Sequence, residues 1–268
     1  MNQTLRTMFN RRTVRAYSDR PVEPEKRQMI IDAARRAPTA GNQQLYSIID
    51  ITRQDIKDKL AVSCDNQPFI ARAPLLLLFL ADFHRTHRLF LASGAEEYCR
   101  RHEITMKKPG AAELLLSLDD ALIAAQNAVV AAESLGIGTC YIGDIMENWE
   151  FHQDLFELPD FIFPAALVCF GYPKGTPVDS GKGLSPRFDE KYTVFTDRYR
   201  NFSDEELLEM VEPLEKKYHR DGKFHGDAEN MGQDIFARKY TSDFSREMTR
   251  SILAAFQTWA GLGRDRNK

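Results

Sequence analysis

Cysteine is scarce in this chain. Cys64, Cys99, Cys140 and Cys169 are the only four in 268 residues, and none stands in a C-x-x-C pair. That excludes a disulfide framework and a structural zinc site, and it leads us to expect a reduced, cytoplasmic protein. The six histidines (84, 87, 102, 152, 219, 225) are scattered, and His84 with His87 makes only a weak pair, so no metal centre is expected. A basic surplus is missing as well. The 36 Lys and Arg are outweighed by 39 Asp and Glu, for a net charge of −3. This argues against nucleic acid as a partner, which calls for a strongly basic face. The most apolar run, Ala73 to Ala81, is far too short to span a bilayer, and the opening Met-Asn-Gln-Thr-Leu-Arg has no long apolar core, so neither membrane span nor signal peptide is expected. No P-loop or Rossmann glycine fingerprint is present. Gly136-Ile137-Gly138 follows a helical stretch instead of opening one, the context of a helix C-cap. No Ser-His-Asp, Cys-His or paired-carboxylate arrangement stands out, and Cys140 reads as a small buried hydrophobe.

What remains is an ordinary globular composition, 43% hydrophobic and 28% charged, long enough for one large core or two modest domains. Thr4 to Phe9 reads as a short helix. Pro24 to Arg36 reads as a second, with Pro in its first turn and Met29, Ile30, Ala33 and Ala34 on one face. Ser47 to Thr52, Ala73 to Ala81, Thr139 to Ile142 and Phe163 to Gly171 read as strands, the second being buried on both faces. Glu113 to Leu135 reads as a long helix with an alanine stripe at 121, 125, 128 and 132. That stripe suits either close approach of a second subunit or burial within one. Its polar Asp119, Asp120, Gln126 and Asn127 rule out a membrane span. Lys174 to Asp189 reads as a linker, and Asp204 to Tyr218 and Ser242 to Ala260 as helices separated by polar sequence. Four strands among many helices, without regular βαβ alternation, give an α+β fold.

Three segments carry the chemistry. Arg11-Arg12-Thr13-Val14-Arg15 sets three guanidinium groups beside a hydroxyl, a combination that suits a phosphate and equally a solvated salt-bridge site. Ala37-Pro38-Thr39-Ala40-Gly41-Asn42-Gln43-Gln44 is a polar loop between helix and strand. The third runs from Gly136 through Tyr141-Ile142-Gly143-Asp144.

In this order the segments resemble the FMN-dependent nitroreductase family, over nearly the whole chain. Arg11 to Tyr17 is similar to the family's opening Arg, Ser or Thr, aliphatic, Arg pattern, and Ala37 to Gln44 to its Ala-Pro-Ser-x-x-Asn-x-Gln loop. Gln126 to Gly138 is similar to its central helix and exit. Leu158-Pro159, Gly171-Tyr172-Pro173 and Pro186-Arg187-Phe188 fit the later part of the larger, NADPH-dependent subgroup with a C-terminal excursion. The resemblance implies a central mixed sheet flanked by helices. It divides the chain into an FMN-binding core, 1–189, and a helical excursion, 190–268, packing on the core or a partner subunit.

The resemblance also implies FMN as cofactor and NADPH or NADH as donor, with ping-pong hydride transfer to a nitroaromatic, a quinone or free flavin. A flavin-binding storage or redox-sensing module is the alternative. No dedicated catalytic residue is implied, because the cofactor carries the reactivity. Arg11, Arg12, Thr13 and Arg187 would hold the phosphate and ribityl chain. Arg15 and Gln67 would face the pyrimidine edge, with Arg15 tuning the flavin. Tyr141, Ile142, Gly143 and Asp144 would line the ring near N5. Pro38, Thr39, Ala40, Gly41 and Asn42 would reach across the interface of a homodimer. Three positions depart from the subgroup: Arg11 stands where His is usual, Ser185 where Lys is, and Asp144 where Gly is. Asp144 reads as an outward-pointing side chain. In the excursion Lys216, Lys217, Arg220, Lys223, Arg238 and Lys239 alternate with Asp221, Asp227, Glu229 and Asp234, which leaves NADH against NADPH open.

Overall fold

The apolar run expected as a central strand forms one, Leu75–Asp82, with every residue buried. Its side chains alternate between two cores, Leu76, Leu78 and Leu80 on one side and Leu75, Leu77 and Phe79 on the other. A period of two with both faces apolar puts a strand at the centre of a sheet.

The computed structural model describes residues 1–175, 184–219 and 223–260. In chain order its elements are α1 (Gln3–Asn10), α2 (Pro24–Arg35), β1 (Tyr46–Asp50), α3 (Gln54–Ser63), α4 (Pro68–Ala71), β2 (Leu75–Asp82), α5 (His84–Ala92), α6 (Ala95–Arg101), α7 (Ala111–Ser134), β3 (Gly138–Ile142), α8 (Trp149–Leu155), β4 (Ile162–Gly171), α9 (Asp204–Tyr218), α10 (Met231–Ile235) and α11 (Asp243–Trp259). The strands pair in the order β1-β2-β4-β3, antiparallel throughout. Among the described residues the parallel component is one isolated bridge, Thr13 to Thr139, at the β3 edge.

Two compact units emerge. The first comprises Met1–Lys182 and Glu247–Lys268, the second Gly183–Arg246. The final helix from Glu247 onward belongs to the first unit, where Ala255 and Trp259 are buried in the core. Its polar face is bound in as well. Ser251 Oγ accepts from the Trp149 amide at 2.9 Å and donates to the Met146 carbonyl at 2.6 Å.

The alanine stripe resolves to burial within one chain. Ala121, Ala125, Ala128 and Ala132 are all fully buried beside Ile30 and Ala34 of α2 and Leu77 and Phe79 of β2. Alanine lets α7 lie close to both. α7 is also long and apolar enough to cross a membrane by composition, yet its polar residues serve the fold. Asn127 Nδ2 donates to the Ala33 carbonyl, and Asp120 is buried. Parts of two sequence readings, residues 176–183 of the linker and Arg220 and Asp221 of the excursion, lie outside the described residues.

Candidate flavin site

α1 starts on Asn2, whose side chain accepts from the Leu5 amide, and ends at Arg11, whose ψ of 133° turns the chain into an extended course. The extended segment docks along the edge of β3. The Val14 amide donates to the Thr139 carbonyl at 2.9 Å, Ser18 to Tyr172 at 2.8 Å, and Lys174 back to Ala16 at 3.0 Å. Two glycines make this approach possible. A Cβ on Gly138 would lie 2.5 Å from Val14 Cγ2, and one on Gly171 would lie 2.6 Å from the Tyr17 ring. No real Cβ tolerates such distances, so any side chain at 138 would displace the arginine segment. Gly136 does the other job expected of it, ending α7 at φ +75°.

This docking presents the cations. Among the described residues Arg11 and Arg15 make no ion pair with any carboxylate closer than 4 Å. Arg11 and Arg12 face Glu133, which burial pushes above the usual carboxylate range while the Thr139 hydroxyl donates to it at 2.9 Å. The Arg15 guanidinium lies 5.9 Å from the Phe69 ring centroid. Burial pushes the nearby Cys140 thiol up, while the Arg15 charge acts against that rise. Guanidinium groups presented on a sheet edge without a carboxylate ion pair have their forked N–H donors free to meet an anion such as phosphate.

Gln67 stands beside Phe69 at the start of α4, after two residues at positive φ, Asp65 and Asn66. Its Nε2 donates to the Cys64 carbonyl at 2.9 Å and to Asp144 Oδ2 at 2.9 Å. Asp144 lies in the 3-10 turn Gly143–Met146 directly after β3. It does not point outward as the sequence suggested. It is half-buried and tied to Gln67, because a carboxylate at the end of a buried strand needs a donor. On the same turn Glu147 is buried and has an oxygen without a partner. Burial, and then the carboxylates of Asp144, Asp65 and Glu247, push its carboxyl up to about 7. Tyr141 is half-buried, its hydroxyl donating to Gln126 at 3.3 Å and its ionisation pushed by burial up to about 12.

The loop Pro38–Asn42 is held elsewhere. The amides of Ala40 and Leu45 donate to the two oxygens of Asp120 at 2.8 and 2.9 Å, and Gly41, Asn42 and Gln44 adopt positive φ. The described hydrogen bonds that tie this loop to another element thus run to α7 and not to the arginine segment. Arg187 belongs to the second unit, where its Nη1 donates to the Ser185 and Pro186 carbonyls at 3.3 and 3.4 Å. The structure therefore brings together Arg11, Arg12, Thr13 and Tyr141 along β3, and Gln67 with Asp144 at its end. Sequence reasoning missed Phe69, Asp120, Glu133 and Glu147. Only Asp120 left a usable signal, an acid directly beside the alanine stripe of α7.

An antiparallel sheet with one core packed on a long alanine-rich helix, and a guanidinium-rich edge at β3, puts the chain in the α+β class. A family profile described as "Nitroreductase family" matches residues 8–172, and the chain belongs to that family. It is 34% identical over 217 residues to an FMN reductase [NAD(P)H] of Bacillus subtilis, covering 81% of this chain and 82% of that protein. It is 31% identical over 218 residues to an oxygen-insensitive NADPH nitroreductase of Salmonella typhimurium, covering 81% and 83%. Among solved structures, NfrA1 of B. megaterium superposes with a TM-score of 0.77 at 26% identity, covering 95% of this chain and 98% of that one.

Proposed function

We propose that this chain is an NAD(P)H-dependent FMN oxidoreductase of the nitroreductase type. One observation carries the placement of its site. Gly138 lets an extended segment bearing Arg11, Arg12, Thr13 and Arg15 lie on the β3 edge, with Arg11 and Arg15 free of carboxylate partners among the described residues. The donor set suits FMN, which pairs a dianionic phosphate with a polar pyrimidine edge. When bound, FMN supplies the hydride chemistry.

The residues divide the binding. Arg11, Arg12 and Thr13 would hold the phosphate and ribityl chain. Arg15 and Gln67 would meet the pyrimidine edge, and the Tyr141-to-Asp144 stretch would border the ring near N5. The acceptor is a nitroaromatic, a quinone or free flavin, and the cytoplasm is the compartment.

A homodimer completes the site, with Pro38 to Asn42 reaching the partner's flavin. Supporting this, the outer face of α7 exposes Leu115, Leu116, Leu122 and Ile123, and α1, which packs on α7, exposes Met8 and Phe9. Exposed apolar side chains along neighbouring helices are suited to an interface. Turnover of NADPH and NADH by FMN-loaded protein, with a quinone as acceptor, tests the assignment. Retention of FMN without nucleotide oxidation would overturn it.

A further inference from the structure

The side-chain amide of Gln67 is gripped by two groups that only accept. Its Nε2 donates to a backbone carbonyl, that of Cys64, and to a carboxylate, that of Asp144. A carboxamide has two N–H donors on nitrogen and two lone pairs on oxygen. Turning this amide around would set its oxygen against two other oxygens. Both donors are therefore spent, and what Gln67 offers outward is Oε1, which no described residue donates to and which reaches solvent. Asp144 is carried on a firm support. Its turn follows β3 without a break, and its own carbonyl accepts from the Glu147 amide at 3.0 Å.

We propose that Asp144 is a positioning residue that locks Gln67 as a pure hydrogen-bond acceptor, making the site select a flavin that keeps the N3–H of its pyrimidine edge. The inference rests on the FMN placement proposed above. The pyrimidine edge of isoalloxazine carries a single N–H donor between two carbonyl acceptors. Arg15 can meet only the acceptors, because guanidinium has no lone pair to give. The N–H needs an acceptor, and Gln67 Oε1 is one held in a single orientation. Without Asp144 the amide loses one of its two anchors and can rotate to present either end. The selectivity then falls, although binding persists.

The test compares FMN with FMN methylated at N3. Each is titrated into apoprotein by flavin fluorescence, for wild type, Asp144→Ala and Asp144→Asn, with thermal melting of each apoprotein as a check on folding. The readout is the ratio of the two dissociation constants within each variant, so a general loss of affinity cancels. Wild type should disfavour the methylated flavin by about tenfold or more, as a site built to pair a donor rejects a ligand lacking it. Asp144→Ala should reduce that ratio by about threefold or more, and Asp144→Asn should restore it, since the Asn carbonyl still accepts from Gln67. An unchanged ratio in Asp144→Ala would overturn the positioning role. Equal affinity of wild type for both flavins would overturn the reading of N3–H. Failure of wild type to bind FMN at all would overturn the flavin assignment itself, and this inference with it.

Discussion

At the residue scale, Glu147 and Arg15 carry the sharpest expectations. Glu147 is buried against Asp144, Asp65 and Glu247, so its folded-state carboxyl stays protonated up to about 7. In the unfolded chain it ionises near the ordinary carboxylate value. Between those two points the folded state binds the extra proton, so stability falls as pH rises through this window, at no more than about 1.4 kcal/mol per pH unit from this group. Glu147→Gln should flatten that slope in denaturant titrations between pH 5 and 7, and a slope equal to wild type would refute the assignment. Arg15→Gln should make the bound flavin's midpoint potential more negative, because a cation beside the ring favours the reduced, negatively charged form. A shift of about 30 mV corresponds to about 1.4 kcal/mol for a two-electron couple, within reach of potentiometric titration at matched pH. An unshifted potential would place Arg15 away from the ring. Arg15 and Gln67 were legible in the sequence because they sit in recognisable segments. Glu147 was not, because beyond the neighbouring Asp144 its environment comes from Asp65 and Glu247, which are remote in the chain.

Among elements, what was legible was what is long and periodic. β2 and β4 are unbroken apolar runs, and α7 is a 24-residue helix with alanines at helical spacing. The sequence reading passed over α3, α4, α5, α6 and α8, which have 10 residues or fewer. Helices this short have little propensity of their own, and they persist because they pack on the sheet. Gly138 and Asp120 show how elements are joined to the site. Gly138→Ala should force the N-terminal segment off β3 and weaken FMN binding while the core stays folded, at a cost of about 1–3 kcal/mol for the overpacking. Asp120→Ala should strand the Ala40 and Leu45 amides and lower stability by about 1–3 kcal/mol for each donor left buried and unpaired. Thermal melting of both variants, with FMN affinity measured alongside, separates the two effects. Loss of stability without loss of affinity in Gly138→Ala would mean that the segment does not form the site.

For the whole molecule, the return of α11 was the feature least visible in the sequence. Ser251, Ala255 and Trp259 look like any amphipathic stripe, and only the fold reveals that they close the first unit. Trp259→Ala should cost about 3–5 kcal/mol, as removal of a buried indole does elsewhere, and a melting temperature within a degree of wild type would contradict that packing. The apolar outer face of α7 carries the expectation of a homodimer, which light scattering checks against the 30.7 kDa mass of one chain. The central claim, that this is an FMN-dependent NAD(P)H oxidoreductase, is tested most directly in one cuvette. Protein loaded with FMN is mixed anaerobically with NADPH or NADH and the visible flavin band is followed, after which a quinone is added. The account predicts that the band bleaches with at least one nucleotide and returns with the quinone. A band that stays unchanged with both nucleotides, on protein that has kept its FMN, would contradict it.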